Sequence, residues 1–166
     1  MLAQTVADIF SSNEIDVYLF SALRPTPEVS FAVRELGAQC GVILTASHNP
    51  PEYNGYKVYW GDGGQIVPPH DNAIIEEINA VDFSDIQFTA KAENITLIDK
   101  NMDEAFQNAC VANGRLGDGN RSQLKVVFTS LHGTSITAIP AVLQKAGYTQ
   151  VHIVEEQAEP DGNFPT

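Results

Sequence analysis

The sequence predicts an α/β chain: a mixed α/β/α sheet domain followed by a βαβ unit that opens a second, similar domain. Three observations carry this. Short apolar runs of strand length alternate with stretches of helical spacing. The glycines and prolines stand at the junctions between those segments. Asn113 to Ser122, with three glycines, two arginines and little apolar content, separates two blocks that each show the alternation.

Leu2, Val6, Ile9 and Phe10 lie at helical spacing, so Leu2 to Phe10 is a helix. Asp16 to Phe20 is a short strand. Thr26 to Leu36 is a helix, with Pro27 suited to its first turn and Gly37 to its C-terminal cap. Gly41 to Thr45 and Gly55 to Trp60 are strands, and Asp62-Gly63-Gly64 is a turn. His70 to Asn79 is a helix with Ile74, Ile75 and Ile78 on one face. Val81 to Asp99 is polar, with a possible strand at Ile95, Leu97 and Ile98; Met102 to Val111 is helical. Leu124 to Thr129 is a strand, Ile136 to Ala146 a helix capped by Gly147, and Val151 to Val154 a strand. The domains are therefore expected at 1–112 and 124–166, joined by a linker at 113–123. Two strands make no independent sheet with a useful core.

The net charge of -12 over 166 residues speaks against nucleic acid and against anionic membranes, both of which need a basic face. Nine Lys and Arg residues make Arg24 and Lys57 conspicuous beside a candidate site. Cys40 and Cys110 lack metal or redox spacing and read as free thiols of a reducing, cytoplasmic protein. No apolar run approaches the roughly 20 residues of a bilayer span, and the N-terminus carries no signal-peptide pattern.

The chemistry concentrates where the run Gly41-Val42-Ile43-Leu44 breaks into Thr45-Ala46-Ser47-His48-Asn49-Pro50. Pro50 and Pro51 stiffen the turn and push Asn49 out of the helical region. Ser47 is then a hydroxyl at the end of a strand, where α/β folds hold their reactive groups, or a turn serine bonded to its own backbone. His48 is a weak hydrolase base: neighbouring side chains on a strand end point apart, and no Gly-x-Ser-x-Gly turn is present. It reads as a contact to a phosphate or sugar hydroxyl, or as a solvated loop histidine. Lys57 offers an ammonium to a phosphate, or is a surface lysine on a strand. Arg24 reaches a cleft, or satisfies loop carbonyls. His132 marks an edge of a site in the second domain, or a structural position. Asn54-Gly55 alone is a turn signal. Asp62, Asp118 and Asp161 each neighbour a glycine and read as turn residues before metal ligands. Tyr56 and Trp60 read as core under the loop.

Thr-Ala-Ser-His-Asn-Pro followed by Asn54-Gly55-Tyr56-Lys57 resembles the phosphoserine loop of the α-D-phosphohexomutases, the phosphoglucomutase/phosphomannomutase family. Leu23-Arg24-Pro25-Thr26-Pro27, Gly64-Gln65-Ile66, Thr129-Ser130-Leu131-His132-Gly133-Thr134 and Pro160-Asp161-Gly162-Asn163-Phe164-Pro165-Thr166 are similar to further family segments. The resemblance spans Phe20 to Ala80 and Leu124 to Thr166. It implies an incomplete first domain and the start of a second. It implies that Ser47, His48 and Lys57 are catalytic, that Arg24, Asn49, Asn54 and His132 bind substrate, and that Ser47 meets Mg²⁺ through its phosphate. The implied reaction moves phosphate between the 1- and 6-hydroxyls of glucose or mannose phosphate through a bisphosphate, with glucose 1,6-bisphosphate as activator.

The Asp-Gly-Asp-x-Asp-Arg metal loop, the Gly-Glu-x-Ser sugar-reading loop and a fourth domain are not found here. The expectation is an internal fragment, inactive alone, that self-associates through uncovered apolar surface. The sugar stays open, with a phosphopentomutase or hexose-bisphosphate synthase of the same family as alternatives. A non-catalytic association fragment is the rival from another class. A hydrolase-like esterase fails on the absent serine turn.

Overall fold

The computed structural model describes residues 2–166. In chain order the elements are α1 (Leu2–Ser12), β1 (Val17–Leu19), α2 (Thr26–Glu35), β2 (Cys40–Thr45), β3 (Gly55–Trp60), α3 (His70–Ala80), β4 (Ile95–Leu97), α4 (Asp99–Asn113), β5 (Lys125–Phe128), α5 (Ile139–Lys145) and β6 (Gln150–Ile153). The expected α/β architecture is present, but the strands divide into three two-stranded ladders. β1 and β4 pair in parallel, β2 and β3 antiparallel, and β5 and β6 in parallel. The polar stretch after α3 thus returns a strand, Ile95–Leu97, beside β1. Helix α1 holds that return: Ser12 Oγ donates to the Gln87 carbonyl at 2.5 Å, Ser11 Oγ accepts from Lys91 N at 3.2 Å, and Lys91 pairs with Glu14.

Helix α2 lies directly on the β2–β3 hairpin because Gly41 gives it no side chain to ride over. A Cβ at Gly41 would come within 2.5 Å of Val33 Cγ2. Gly41 stands opposite Tyr59, which is buried. Ser30 Oγ donates to the Gly63 carbonyl at 2.6 Å and fixes the helix to the turn after β3. Gly63, at φ +78°, takes a conformation in which a side chain would be strained. The helix ends as expected, with Gly37 at φ +62° and its N–H on the Arg34 carbonyl.

Helix α4 packs between α2 and α5. Lys145 Nζ on α5 donates to Asn108 Oδ1 on α4 at 2.8 Å, so α5 of the βαβ unit lies against α4. Two element readings change. Residues 134–137 form a 3₁₀ turn and α5 starts only at Ile139, with Pro140 in its first turn, so Ile136 lies outside the helix. On α3, Ile75 and Ile78 are exposed, and the helix start meets the end of β3 through an edge-to-face contact of the His70 and Trp60 rings. The segment expected to be a loose linker is tied down at its end: Arg121 Nε donates to the Ala146 carbonyl at 2.7 Å and Nη1 to the Gly117 carbonyl at 2.6 Å.

The α2–α4 seam holds a charged cluster beside the Phe31–Phe106 ring contact. Arg24 donates through Nε and Nη2 to both Asp103 oxygens, at 2.5 and 2.9 Å. Its Nη2 also lies 3.6 Å from Asp99 Oδ1, and its guanidinium covers the Phe20 ring at 5.3 Å. Glu28, one turn along α2, is 1% exposed, and its Oε1 has no hydrogen-bond partner. Burial first, and then the neighbouring Asp103 carboxylate, push the Glu28 carboxyl up to about 7, with Arg24 pulling the other way.

Folding therefore raises the Glu28 carboxyl above its ordinary value of 4.5. The folded chain binds that proton more tightly than the unfolded one, so the associated stability is complete below about pH 4.5 and is lost as pH rises toward 7. Glu28→Gln keeps the shape without ionising. It is expected to exceed wild type in stability at pH 8 by on the order of 2–3 kcal/mol and to close that gap near pH 4.5. Urea unfolding across this range checks it; parallel pH profiles for the two proteins would refute the assignment.

Candidate active site

β2 ends at Thr45, which pairs with Gly55 at the start of β3, so residues 46–54 are the hairpin connection. Two turns shape it: Asn49 N donates to the Ala46 carbonyl at 3.0 Å and Tyr53 N to the Pro50 carbonyl at 2.9 Å. Ser47 stands at φ +59°, the left-handed region that residues with a side chain seldom enter. The Thr45 hydroxyl stabilises this by accepting from Ser47 N at 2.8 Å. Such conformations cost free energy and gather at working sites.

The left-handed turn corrects the expectation for His48. Ser47 has left the strand, and the two neighbouring side chains converge: Ser47 Oγ lies 3.3 Å from His48 Nδ1. Both residues are exposed. The second ring nitrogen of His48 makes no hydrogen bond to a described residue, so no carboxylate orients it as in a hydrolase triad.

Lys57 pairs with Ile43, two residues before Thr45, on the sheet face that carries Thr45 and Gly55. Its ammonium has no hydrogen bond or ion pair to any described residue. Asn54 spans the loop base, with Nδ2 donating to the Pro51 carbonyl at 3.1 Å, and the Asn49 side chain is exposed. Asp62 and Asp161 accept from Gly64 N and Asn163 N, each at 2.8 Å, as turn residues do. The aromatic readings reverse: Tyr59 is buried, while Tyr56 and Trp60 are exposed on the opposite face of the hairpin. Among the described residues no group of three or more His, Cys, Asp or Glu could hold a metal ion.

Arg24 and His132 are not brought to Ser47 by their contacts. Arg24 is held in the α2–α4 seam by Asp103, Asp99 and the Leu23 carbonyl, which fits its structural alternative. His132 is buried, with Nδ1 3.0 Å from the Glu159 carbonyl and Nε2 2.8 Å from Thr166 Oγ1. Both ring nitrogens are engaged inside the second unit. Sequence reasoning missed the Thr45 hydroxyl, which sets the Ser47 turn, and Asp103, which holds Arg24. Glu28, four residues after Arg24 on a predicted helix, signals a charged seam; Asp103 gives no such signal.

The family model described as phosphoglucomutase/phosphomannomutase, alpha/beta/alpha domain I matches residues 1–85, and that for alpha/beta/alpha domain II matches residues 104–166. A phosphoglucomutase of Staphylococcus aureus strain USA300 is 38% identical over 168 residues, covering 98% of this chain and 30% of that protein. Its counterpart in strain N315 is 37% identical over 168 residues, with 98% of this chain and 30% of that protein covered. The crystal structure of a putative phosphomannomutase from Thermus thermophilus superposes with a TM-score of 0.74 at 28% identity, over 96% of this chain and 35% of that one. The chain thus spans about 30% of the length of the curated relatives it matches. With a serine-bearing hairpin loop in its first α/β unit and a βαβ unit after it, both matched in order, the chain belongs to the phosphoglucomutase/phosphomannomutase family.

Proposed function

We propose that this chain is the phosphoryl-carrying part of a cytoplasmic sugar-phosphate mutase, with Ser47 as the carrier. The observation that carries this reading is the Ser47 turn itself: an exposed hydroxyl at φ +59°, held by Thr45, with His48 Nδ1 at 3.3 Å. Lys57, without a partner on the adjoining strand, supports it. The phosphate on Ser47 Oγ passes to a free hydroxyl of a glucose or mannose monophosphate. The Oγ–P bond breaks as the sugar O–P bond forms; the sugar hydroxyl gives up its proton, and Ser47 Oγ takes one up to leave as the free hydroxyl. The resulting bisphosphate turns over, returns its other phosphate to Ser47, and leaves as the isomer. Donor and acceptor are both alcohol esters, so positioning and charge neutralisation matter most. His48 Nδ1 can hold a proton at Ser47 Oγ, and Lys57 can balance charge on the moving phosphoryl group.

The described residues do not fit a self-contained Mg²⁺ site: no acidic cluster stands near Ser47, and the chain would supply one oxygen, that of the seryl phosphate. The same absence favours a second reading in which the 166-residue chain alone turns nothing over. No helix among the described residues is long and apolar enough to cross a membrane, and the thiols of Cys40 and Cys110 are free, which agrees with a reducing compartment.

Three outcomes are expected. Incubation of a longer mutase carrying this chain with glucose 1,6-bisphosphate places phosphate on Ser47 by peptide mass spectrometry; phosphate elsewhere, or full activity in Ser47→Ala, refutes the assignment. Lys57→Met in that enzyme lowers kcat/KM by on the order of 2–4 kcal/mol of transition-state stabilisation; a change of only a few-fold would make Lys57 a surface residue. The isolated chain self-associates, because its ladders leave strand edges unpaired and Val127 on β5 is 74% exposed. Light scattering after size-exclusion chromatography checks this, and a strict monomer across the micromolar range would overturn it.

A further inference from the structure

The geometry points to His132 as a positioning residue for the Ser47 loop: it binds the segment 157–166 on several sides, and that segment abuts the loop at Pro51. His132 N donates to the Gln157 carbonyl at 2.9 Å, and its own carbonyl accepts from Asp161 N at 3.0 Å. The Glu159 carbonyl has no proton to give, so Nδ1 carries the hydrogen, and in the neutral ring Nε2 accepts from the Thr166 hydroxyl. The residue is 6% exposed. Ser130 Oγ adds a second bond to the Gln157 carbonyl at 2.8 Å.

The backbone is bent to make this possible. Leu131 and His132 lie at φ +46° and +59°, and Phe164 at +48°. Three left-handed residues with side chains, the histidine itself, its neighbour Leu131 and one inside the segment it binds, are a costly arrangement unless the contacts hold it. The far side of the segment then meets the candidate site. A Cβ on Gly162 would stand 3.1 Å from Pro51 Cγ and 3.6 Å from Pro51 Cβ, so the glycine permits a close approach to the loop. Pro51 also supplies the carbonyl that Asn54 bonds, and Pro50 the one that closes the Tyr53 turn. The path runs from an imidazole in the second unit, through the segment it grips, to the proline side of the Ser47 loop. The inference deepens the reading of Ser47 as a carrier and rests on it for its consequence, but its geometry can be tested with no phosphate present.

The test is amide exchange by ¹⁵N NMR on the full 166-residue chain. The reporters are Asn49 and Tyr53, whose N–H groups close the two turns of the loop, and Asp161, bonded to the His132 carbonyl. Ile66 N, bonded to Val58 within the hairpin, is the internal control. His132→Ala and Gly162→Val are each expected to speed exchange at Asn49 and Tyr53 roughly tenfold while Ile66 stays within about twofold. His132→Asn tolerates the left-handed backbone and offers an N–H toward Glu159, so it is expected to restore the loop amides to within about twofold of wild type. If His132→Ala does not fold, His132→Phe, which keeps the bulk of the ring and loses both ring hydrogen bonds, takes its place with the same expected result. Unchanged Asn49 and Tyr53 amides in Gly162→Val, a uniform rise that includes Ile66, or no recovery in His132→Asn would overturn the inference. If the chain shows the expected exchange pattern while a longer mutase carrying it never accepts phosphate on Ser47, the carrier reading is refuted and this one stands.

Discussion

The contact on which the rest of the first unit depends is that of helix α2 with Gly41. No side chain larger than hydrogen fits there, with Val33 Cγ2 within 2.5 Å of where a Cβ would stand. That approach sets the height of the helix above the β2–β3 hairpin, and Ser30 on the Gly63 carbonyl sets its rotation and slide. Interiors packed this closely transmit small displacements. Both ends of the unit follow. The start of α2 carries Arg24 and Glu28 to the seam with α4. The hairpin it covers ends in the Ser47 connection.

Charge is scarce on the positive side of this molecule, and its distribution separates structure from chemistry. Arg24 is consumed by Asp103 and Asp99, Arg121 by backbone carbonyls, Lys91 by Glu14, and Lys145 by Asn108 and Glu104. A half-buried guanidinium with bidentate carboxylate contacts is a fixed part of the frame. Lys57, like Arg34, Lys100, Arg115 and Lys125, has no such partner, and it is the one of these that stands on the strand next to the serine loop. In a chain of net charge -12, Lys57 is the basic group that the proposed phosphoryl carrier would draw on.

The two units meet at small contacts with large leverage. Helix α4 bridges α2 and α5, and Gly162 touches Pro51. The serine loop is thus built by the first unit and buttressed by the second. A loop whose key residue holds an unfavourable backbone conformation needs such support, because its own two turns contribute little against the cost of φ +59° at Ser47.

The sequence by itself determined the element order, the hairpin that presents Ser47, the capping glycines at 37 and 147 and the family resemblance of the loop, because each rests on local spacing or on residue types with narrow conformational preferences. It also marked Lys57, since a lysine two residues past Asn-Gly on a strand beside the loop is visible in one dimension. Tertiary structure alone decided the rest. Which strands pair depends on contacts between residues 78 apart, as at Val17 and Ile95. Tyr59 and not Trp60 became core, because helix α2 covers one face of the hairpin and neighbours on a strand point to opposite faces. Arg24 and His132 looked alike in sequence as polar residues in loops after strands. Asp103, far along the chain, and Glu159 with Thr166 gave them interior partners, and no local pattern encodes a partner so remote.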